Sequence, residues 1–161
     1  MADNSADALV RQLAGRGPAL RPAHAAVAIL LHADGRYVMQ LRDAKVEIFY
    51  PAHWGCFGGA IDEGEDGIAA LRRELREELE FEMGGATRFT QIEFDFSPHG
   101  LGKVLRAYYE VRVPHGAFER FVLHEGQAVQ AFEAADLLAN HRVTPYDAFA
   151  VWMHVIRSKT A

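Results

Sequence analysis

Three glutamates, Glu74, Glu77 and Glu78, lie close together in a part of the chain that is rich in Arg and Leu. Like charges three or four residues apart cost a helix about 0.2–0.5 kcal/mol per pair, so such a cluster works against stability unless cations bind there. Carboxylate oxygens are the ligands that hard cations such as Mg²⁺ take in proteins. No Cys and no paired His adjoins the cluster, so its chemistry favours Mg²⁺ over zinc.

The segment from Asp66 to Leu79 must position these glutamates. It contains no Pro, is rich in Ala, Leu, Glu and Arg, and begins with Asp66 as an N-cap, which predicts a helix. At about 100° per residue, four apolar residues form one stripe, namely Ile68, Leu71, Leu75 and Leu79. The three glutamates fall in an arc of roughly 100° beside that stripe. We therefore expect the stripe in the core and the glutamates on an outward-facing flank.

Two interpretations of the glutamate flank compete. A run of Glu and Arg is usually a solvated helix face held by salt bridges, and the neighbouring arginines are available to form them. The residues before the helix favour a metal site instead, because a turn at Gly58 and Gly59, followed by Glu65, precedes it at fixed offsets.

The stretch from Gly59 to Phe81 resembles the signature of the Nudix hydrolase family, G-x5-E-x7-R-E-U-x-E-E-x-G-U, in which U is apolar. Every charged position of that signature is present, and the departure is Glu80, where the family usually has Gly. The resemblance points to a MutT-like nucleotide pyrophosphohydrolase. It implies an α/β (α+β) fold, the Nudix-type α/β/α sandwich with a mixed β-sheet.

The same resemblance implies a divalent-metal site on the helix, with Mg²⁺ as the ion and Mn²⁺ as its alternative. Its ligands are a backbone carbonyl and three carboxylates, those of Gly59, Glu74, Glu77 and Glu78. Arg73 is implied to hold a glutamate in position by charge-assisted hydrogen bonds. The ion would bridge a diphosphate and activate a water for attack on phosphorus. The number of ions stays open.

Two glutamates compete for the role of general base. Several family members carry an additional loop glutamate near the metal, as a ligand or as the general base, and the resemblance offers Glu125, in the sequence LHEG, for that place. Glu74 is the competing candidate. The other interpretation of Glu125 is a turn residue beside Gly126, and the sequence leaves the choice open.

The substrate that the resemblance implies is a nucleoside diphosphate linked to another group, such as a nucleotide sugar or ADP-ribose, or a nucleoside triphosphate. Gly58 and Arg42 are candidates for contact with its phosphates, although Arg42 is equally well explained as a solvent-facing strand end. Three aromatic residues are candidates for stacking on a base, Phe49, Tyr50 and Trp54, and their alternative is a place in the core.

Two other function classes stay in view. One is a Nudix-like sensor that binds nucleotides without turnover, although such domains tend to lose the carboxylates that this chain keeps. The other is an enzyme similar to isopentenyl diphosphate isomerases, which use a cysteine. Cys56 is the single cysteine of the chain, and it lacks the sequence context of those isomerases. We expect it to be a small packing residue on a strand.

Length and composition favour one enzyme domain. The chain has 161 residues, 50% of them hydrophobic, and we expect a short helix and linker over 1–22 and a single domain over 23–161. A net charge of -5 argues against a partner held by general positive charge, whether nucleic acid or membrane. The polar N-terminus predicts no secretory signal, so we expect a cytoplasmic location. The sequence does not decide between a monomer and a homodimer.

The hydrophobic pattern predicts the elements around the glutamate helix. A hairpin is expected from 24–32 and 36–42 around Asp34 and Gly35, followed by a loop over 43–53 and a short strand over 54–57. A second hairpin is expected from 88–96 and 103–113. A strand over 127–132 and an amphipathic helix over 144–157 complete the prediction, and a further short helix is expected over 6–14.

Overall fold

A computed structural model of the chain describes residues 22–160, apart from the side chains of His99 and Thr160. Seven strands form one mixed sheet: β1 Ala25–Leu31, β2 Tyr37–Leu41, β3 Trp54–Gly55, β4 Phe57–Ala60, β5 Thr87–Asp95, β6 Lys103–Arg112 and β7 Ala128–Phe132. Within residues 22–160, three α-helices accompany it: α1 Gly67–Leu79, α2 Ala134–Asn140 and α3 Pro145–Thr160. Short 3₁₀ turns occur at Ser97–His99 and Phe118–Arg120.

The central strand of the sheet, β1, changes partners along its length. The strands run in the order β3-β2-β1-β6-β5, and β1 is parallel to β6 while the other pairs are antiparallel. The carboxyl end of β1 pairs with β2, and its amino end, Ala25 to Ala28, pairs with β4. Because β6 pairs with one edge of β1 along its whole length, β2 and β4 share the opposite edge. They diverge there and leave an opening near the amino end of β1.

Helices cover both faces of the sheet. On one face, Leu71, Leu75 and Leu79 of α1 pack into a cluster with alternate residues of β1. On the other face, Leu137 of α2 and Val151 of α3 pack against the intervening residues of the same strand. Because both faces are covered, β1 is buried over its whole length. The predicted sandwich with a mixed sheet is confirmed.

Helix α1 begins where the sequence predicts. The Asp66 carboxylate accepts hydrogen bonds from the backbone N–H groups of Ile68 and Ala69, so it caps the first turn. The predicted stripe is wrong at one end, because Ile68 is exposed. The outward direction of the glutamates is wrong for Glu78, which is 5% exposed. Position 78 lies seven residues after Leu71 and three after Leu75, so helical periodicity brings it to the buried face.

The other predicted elements occur close to their expected bounds, with two differences. The short strand expected over 54–57 is two strands, β3 and β4, and the predicted Gly58-Gly59 turn lies within β4. Helix α2 was not predicted, because a helix of only seven residues shows little periodicity. The helix expected over 6–14 and the linker up to residue 21 lie outside the described residues. Within residues 22–160, no helix combines the length and apolar character that a membrane span requires.

Candidate functional site

A cavity of about 380 Å³ opens where β2 and β4 diverge. It is large enough for a nucleotide-sized ligand. Seven residues that the sequence singles out line it together, namely Arg42, Phe49, Gly58, Gly59, Glu74, Glu78 and Glu125. They come from the segment after β2, from β4, from α1 and from the loop before β7, so the fold brings distant parts of the chain to one place.

Glu78 is a buried carboxylate beside β4, the strand that carries the signature glycine, Gly59. Its Oε2 atom accepts a hydrogen bond of 3.2 Å from the backbone N–H of Gly58. Burial, together with the negative charges of Glu74 and Glu125, raises the pKa of Glu78 to about 8, although the hydrogen bond from Gly58 opposes the shift. Within residues 22–160, Glu78 forms no ion pair with Lys or Arg. A cation in the cavity would relieve this accumulation of negative charge.

Arg73 connects helix α1 to the loop before it. Its Nη1 atom donates to Oε1 of Glu74 at 2.7 Å, and its Nε and Nη2 atoms donate to the two oxygens of Glu65 at 3.1 and 3.0 Å. Nη2 also donates to the carbonyl of Ala60 at 3.0 Å. Burial nevertheless keeps the pKa of Glu74 raised, with Arg73 opposing that shift and Glu77 adding to it. Arg73 therefore fixes both the loop geometry and the direction of one site carboxylate.

Glu77 lies at the margin of this arrangement. Its side chain is 62% exposed, it contacts Arg73 Nη1 at 3.5 Å, and it does not line the cavity. As the side chains stand, no three His, Cys, Asp or Glu residues of the described part of the chain form a metal-binding group. The donor type still fits Mg²⁺, because that ion usually binds one or two carboxylates and keeps water and phosphate oxygens as its other ligands. Carboxylates beside an open cavity and a backbone carbonyl meet that requirement.

Gly58 and Gly59 allow β4 to lie close to the backbone of β1 and to the Glu74 carboxylate. At Gly58, φ is +119°, and a Cβ would lie 2.3 Å from the carbonyl oxygen of Ala26. At Gly59, a Cβ would lie 2.6 Å from the carboxylate of Glu74, which is the end of a flexible side chain. The first position is therefore constrained by backbone, and the second by the site itself.

Gly58→Ala is expected to destabilise the fold by roughly 1–3 kcal/mol or more, because neither the φ angle nor the Ala26 carbonyl can adapt cheaply. Gly59→Ala is expected to keep most of the stability and to displace the Glu74 carboxylate, so that turnover falls. Urea unfolding and steady-state kinetics measure the two effects separately. Equal loss of stability in both variants would contradict this division of roles.

Glu125 lies in a loop that is fastened on two sides. Next to it, the His124 backbone N–H donates to the carbonyl of Glu78 at 2.9 Å, and the His124 ring contacts Oε1 of Glu80 at 2.7 Å. Gln127 donates from its backbone to Leu41 at 2.7 Å. The loop thus spans from the end of α1 to the end of β2, and Glu125 lines the cavity between them. Glu80, which replaces the usual glycine, has φ of 53° and so keeps the helix-ending conformation.

The substrate candidates separate into two groups. Arg42 lines the cavity, where its Nε donates to the carbonyl of Phe49 at 3.0 Å. Tyr50 packs edge-on against His53 and Tyr146, and Trp54 packs against Phe132 and His141. Neither Tyr50 nor Trp54 lines the cavity, so the structure does not bring these two to the site.

Phe49, the third candidate for stacking, does line the cavity. Sequence reasoning missed four further lining residues with an aromatic or charged side chain: Phe94, Phe96, Arg106 and Tyr146. Phe94 and Phe96 carry a signal, because residues two apart on a strand share a face. The others depend on pairing between distant segments, and no local pattern marks them.

Cys56 lies between β3 and β4 and is 2% exposed within an apolar cluster. Burial raises the pKa of its thiol well above the usual value, and the charge of Asp147 raises it further. A thiol in this environment is not activated as a nucleophile.

Cys56→Ser is expected to leave turnover largely unchanged and to cost roughly 1–3 kcal/mol of stability, because it buries a hydroxyl in an apolar cluster. Cys56→Ala is the control, since it removes sulfur without adding a polar group. Thermal unfolding and steady-state kinetics give both quantities. Inactivity of two folded variants would reopen a covalent, isomerase-like mechanism.

Comparison with known proteins identifies the family of the chain. The sequence model of the NUDIX domain matches residues 21–151. None of the curated protein sequences matches the chain.

Similar solved structures include the dihydroneopterin triphosphate pyrophosphohydrolase of E. coli, with a TM-score of 0.67, 18% identity and coverage of 86% of this chain and 98% of the other. The MutT protein of Methanosarcina mazei Go1 has a TM-score of 0.69 and 15% identity, covering 88% and 98%. The NUDIX domain of Shewanella oneidensis NrtR, complexed with ADP ribose, has a TM-score of 0.64 and 17% identity, covering 92% and 97%. At these identities the structures establish the shared fold. The chain therefore belongs to the Nudix family, and as a Nudix-type enzyme it is a pyrophosphohydrolase.

Proposed function

We propose that the chain hydrolyses a diphosphate bond in a nucleoside diphosphate linked to another group, such as a nucleotide sugar or ADP-ribose, or in a nucleoside triphosphate, and that it requires Mg²⁺ or Mn²⁺. The observation that carries this proposal is the convergence of Glu74, Glu78 and Glu125 on one cavity beside Gly58 and Gly59. A diphosphate suits such a site, because protein-bound Mg²⁺ commonly takes phosphate oxygens as ligands.

The ion would be held by Glu74, Glu78 and the carbonyl of Gly59. Glu77 would be the fourth ligand that the family signature implies. When bound, it neutralises phosphate charge and lowers the pKa of a water molecule. Arg73 keeps the Glu74 carboxylate directed by a hydrogen bond of 2.7 Å. Such positioning commonly accounts for a 10- to 100-fold difference in affinity or activity.

Arg42 is suited to hold a phosphate oxygen. It lines the same cavity, and within residues 22–160 it forms no ion pair with a carboxylate. Its guanidinium therefore offers an uncompensated positive charge and several N–H donors opposite the glutamates. The substrate would lie between these two charged sides.

Glu125 is suited to accept the proton of the attacking water. It reaches the cavity from a loop, whereas Glu74 and Glu78 come from the helix. A carboxylate that is bound to a cation is a weaker base, so a carboxylate held slightly apart serves the proton transfer better. The ADP ribose complex of the NrtR domain supports a ligand of the nucleoside diphosphate class.

A panel of substrates tests the proposal. Nucleotide sugars, ADP-ribose, dinucleoside polyphosphates, NADH and nucleoside triphosphates are incubated with the protein and Mg²⁺ or Mn²⁺, and phosphate is measured after a phosphatase step. We expect turnover of at least one class and loss of turnover in EDTA. Binding without cleavage of any member would instead support a nucleotide sensor.

A further inference from the structure

The half of the cavity away from the glutamates is built from aromatic and apolar side chains around one arginine. We call it the aromatic subsite and define it by Phe94, Phe96, Val104, Arg106 and Tyr146. The rings of Phe94 and Phe96 are nearly parallel, at 26°, and Tyr146 meets Phe94 edge-on at 6.3 Å between centroids. Such surfaces bind flat, apolar groups such as nucleobases.

Arg106 is held rigidly at the wall of this subsite. Its Nη2 and Nε atoms donate to Oδ1 of Asp147 at 3.1 and 3.3 Å, and Nε also donates to the Tyr108 hydroxyl at 3.0 Å. Its guanidinium carbon lies 4.4 Å from the centroid of the Tyr146 ring. Asp147 is itself fixed, because its Oδ2 accepts from the Thr144 hydroxyl at 2.7 Å. The guanidinium is therefore preorganised before a ligand enters.

One nitrogen of Arg106 is left for a ligand. Among the described residues, no hydrogen bond uses Nη1 of Arg106. The same part of the chain contains no buried side-chain nitrogen or oxygen that lacks a partner, so Nη1 is accessible. Because Arg106 lines the cavity, a ligand there can reach this donor.

The charge of Arg106 is already compensated by Asp147, which is 1% exposed. The pair is neutral overall, so it attracts an anion much less than Arg42 does. What remains at Nη1 is a directed hydrogen-bond donor, which suits a neutral acceptor such as a ring carbonyl. A ring amino group at the same point would place its own hydrogen-bond donor against that of Nη1, and neither donor would have an acceptor.

The distance between β4, where the diphosphate would bind, and Arg106 suits the length of a nucleoside. Ala60 of β4 pairs with Ala25 of β1, and Ala25 pairs with Arg106 of β6. Neighbouring strands lie about 4.8 Å apart, so the Arg106 backbone is about 10 Å from that of Ala60. A ribose bridges a diphosphate and its base over a span of this order.

We propose that the aromatic subsite binds the base of the substrate and that Arg106 selects an oxo base, a 6-oxopurine or 4-oxopyrimidine, over its amino counterpart. This proposal rests on the proposed function for the position of the diphosphate, and it adds the class of nucleoside. Among the substrates named there, it favours those with an oxo base over ADP-ribose, whose adenine carries an amino group. Phe94, Phe96 and Tyr146 supply the surface against which the base stacks.

Equilibrium binding and kinetics on matched nucleotide pairs test this proposal. Dissociation constants for IDP against ADP and for UDP against CDP are measured by calorimetry in EDTA, and kcat/KM is measured for ITP, ATP, UTP and CTP with Mg²⁺. We expect the wild type to prefer the oxo member of each pair by about 10- to 100-fold, the usual effect of a hydrogen bond to a charged donor. Equal affinity within both pairs, or preference for the amino bases, would overturn the proposal.

Variants identify the residue responsible. Arg106→Lys keeps the charge but not the planar donor geometry, and it should reduce the preference to near one. Arg106→Gln combined with Asp147→Asn removes both charges together, so that no buried charge is left unpaired. Arg112→Gln is the matched control on the same strand, since Arg112 is 79% exposed, and it should keep the wild-type preference. A preference that survives in both Arg106 variants also overturns the assignment.

The two proposals fail in different ways. An oxo preference in the binding data that depends on Arg106, without turnover of any nucleotide, would support the subsite and refute hydrolysis of these substrates. Turnover with no discrimination between bases would support the proposed function and refute the role of Arg106.

Discussion

Glu78→Gln is expected to lower turnover by about 10- to 100-fold or more while the fold stays intact. Glutamine keeps the shape of the side chain, and its amide oxygen can still accept from Gly58, but it removes the charge that would balance a divalent ion. Because Glu78 is buried and forms no ion pair with the described residues, the neutral side chain should also equal or exceed the wild type in stability. Activity and stability are therefore expected to change in opposite directions.

Steady-state kinetics at several Mg²⁺ concentrations and thermal unfolding measure the two effects. Glu82→Gln is the matched control, because Glu82 is exposed and pairs with Arg76 away from the cavity, and it should behave as the wild type. Glu77→Gln is a stricter test of the metal assignment. The sequence predicts the same loss of turnover for this variant, although the Glu77 carboxylate is 62% exposed. Wild-type turnover by the Glu78 variant in chelator-treated buffer would refute the metal assignment.

The parts of the molecule that sequence predicted well are those set by local rules. The N-cap at Asp66 depends on a side chain reaching backbone groups two and three residues on, so composition around it was sufficient. The hairpin at Asp34 and Gly35 follows from turn chemistry in the same way. The family was recognised from fixed gaps between charged residues, which need no tertiary information.

Long-range packing decided what local rules could not. The aromatic cluster around Trp54 arises because β3 lies beside Phe132 and His141, which follow it by more than 75 residues. Arg106 becomes a subsite residue through Asp147, 41 positions later in the chain. Partners this distant leave no periodic signal within either segment.

The outward direction predicted for the Glu78 side chain was wrong for a different reason. Its spacing from Leu71 and Leu75 places it on the buried face, so the pattern itself contained the answer. The charge of Glu78 argued for an outward position, because a carboxylate is rarely buried without a partner. Burial of such a group is costly, and a site for a cation gives that cost a physical reason.

Glu125→Gln is expected to lower kcat by about 10² to 10⁴ with little change in KM, because it removes the group that takes the proton from water. Its loop is fastened to α1 and β2 by backbone hydrogen bonds at His124 and Gln127, so the substitution should not move the loop. Glu119→Gln, on the exposed 3₁₀ turn before that loop, is the control and should leave kcat unchanged.

Glu74→Gln separates the two candidates for the base. Glu74 receives a hydrogen bond from Arg73 at 2.7 Å, which fixes the direction of its carboxylate as a ligand requires, although burial keeps its pKa raised. As a ligand it should alter the dependence of the rate on Mg²⁺ concentration, whereas Glu125→Gln should lower the rate at saturating Mg²⁺. If Glu74→Gln shows the loss at saturating Mg²⁺ and Glu125→Gln behaves as the wild type, the base lies on the helix and Glu125 is only a turn residue.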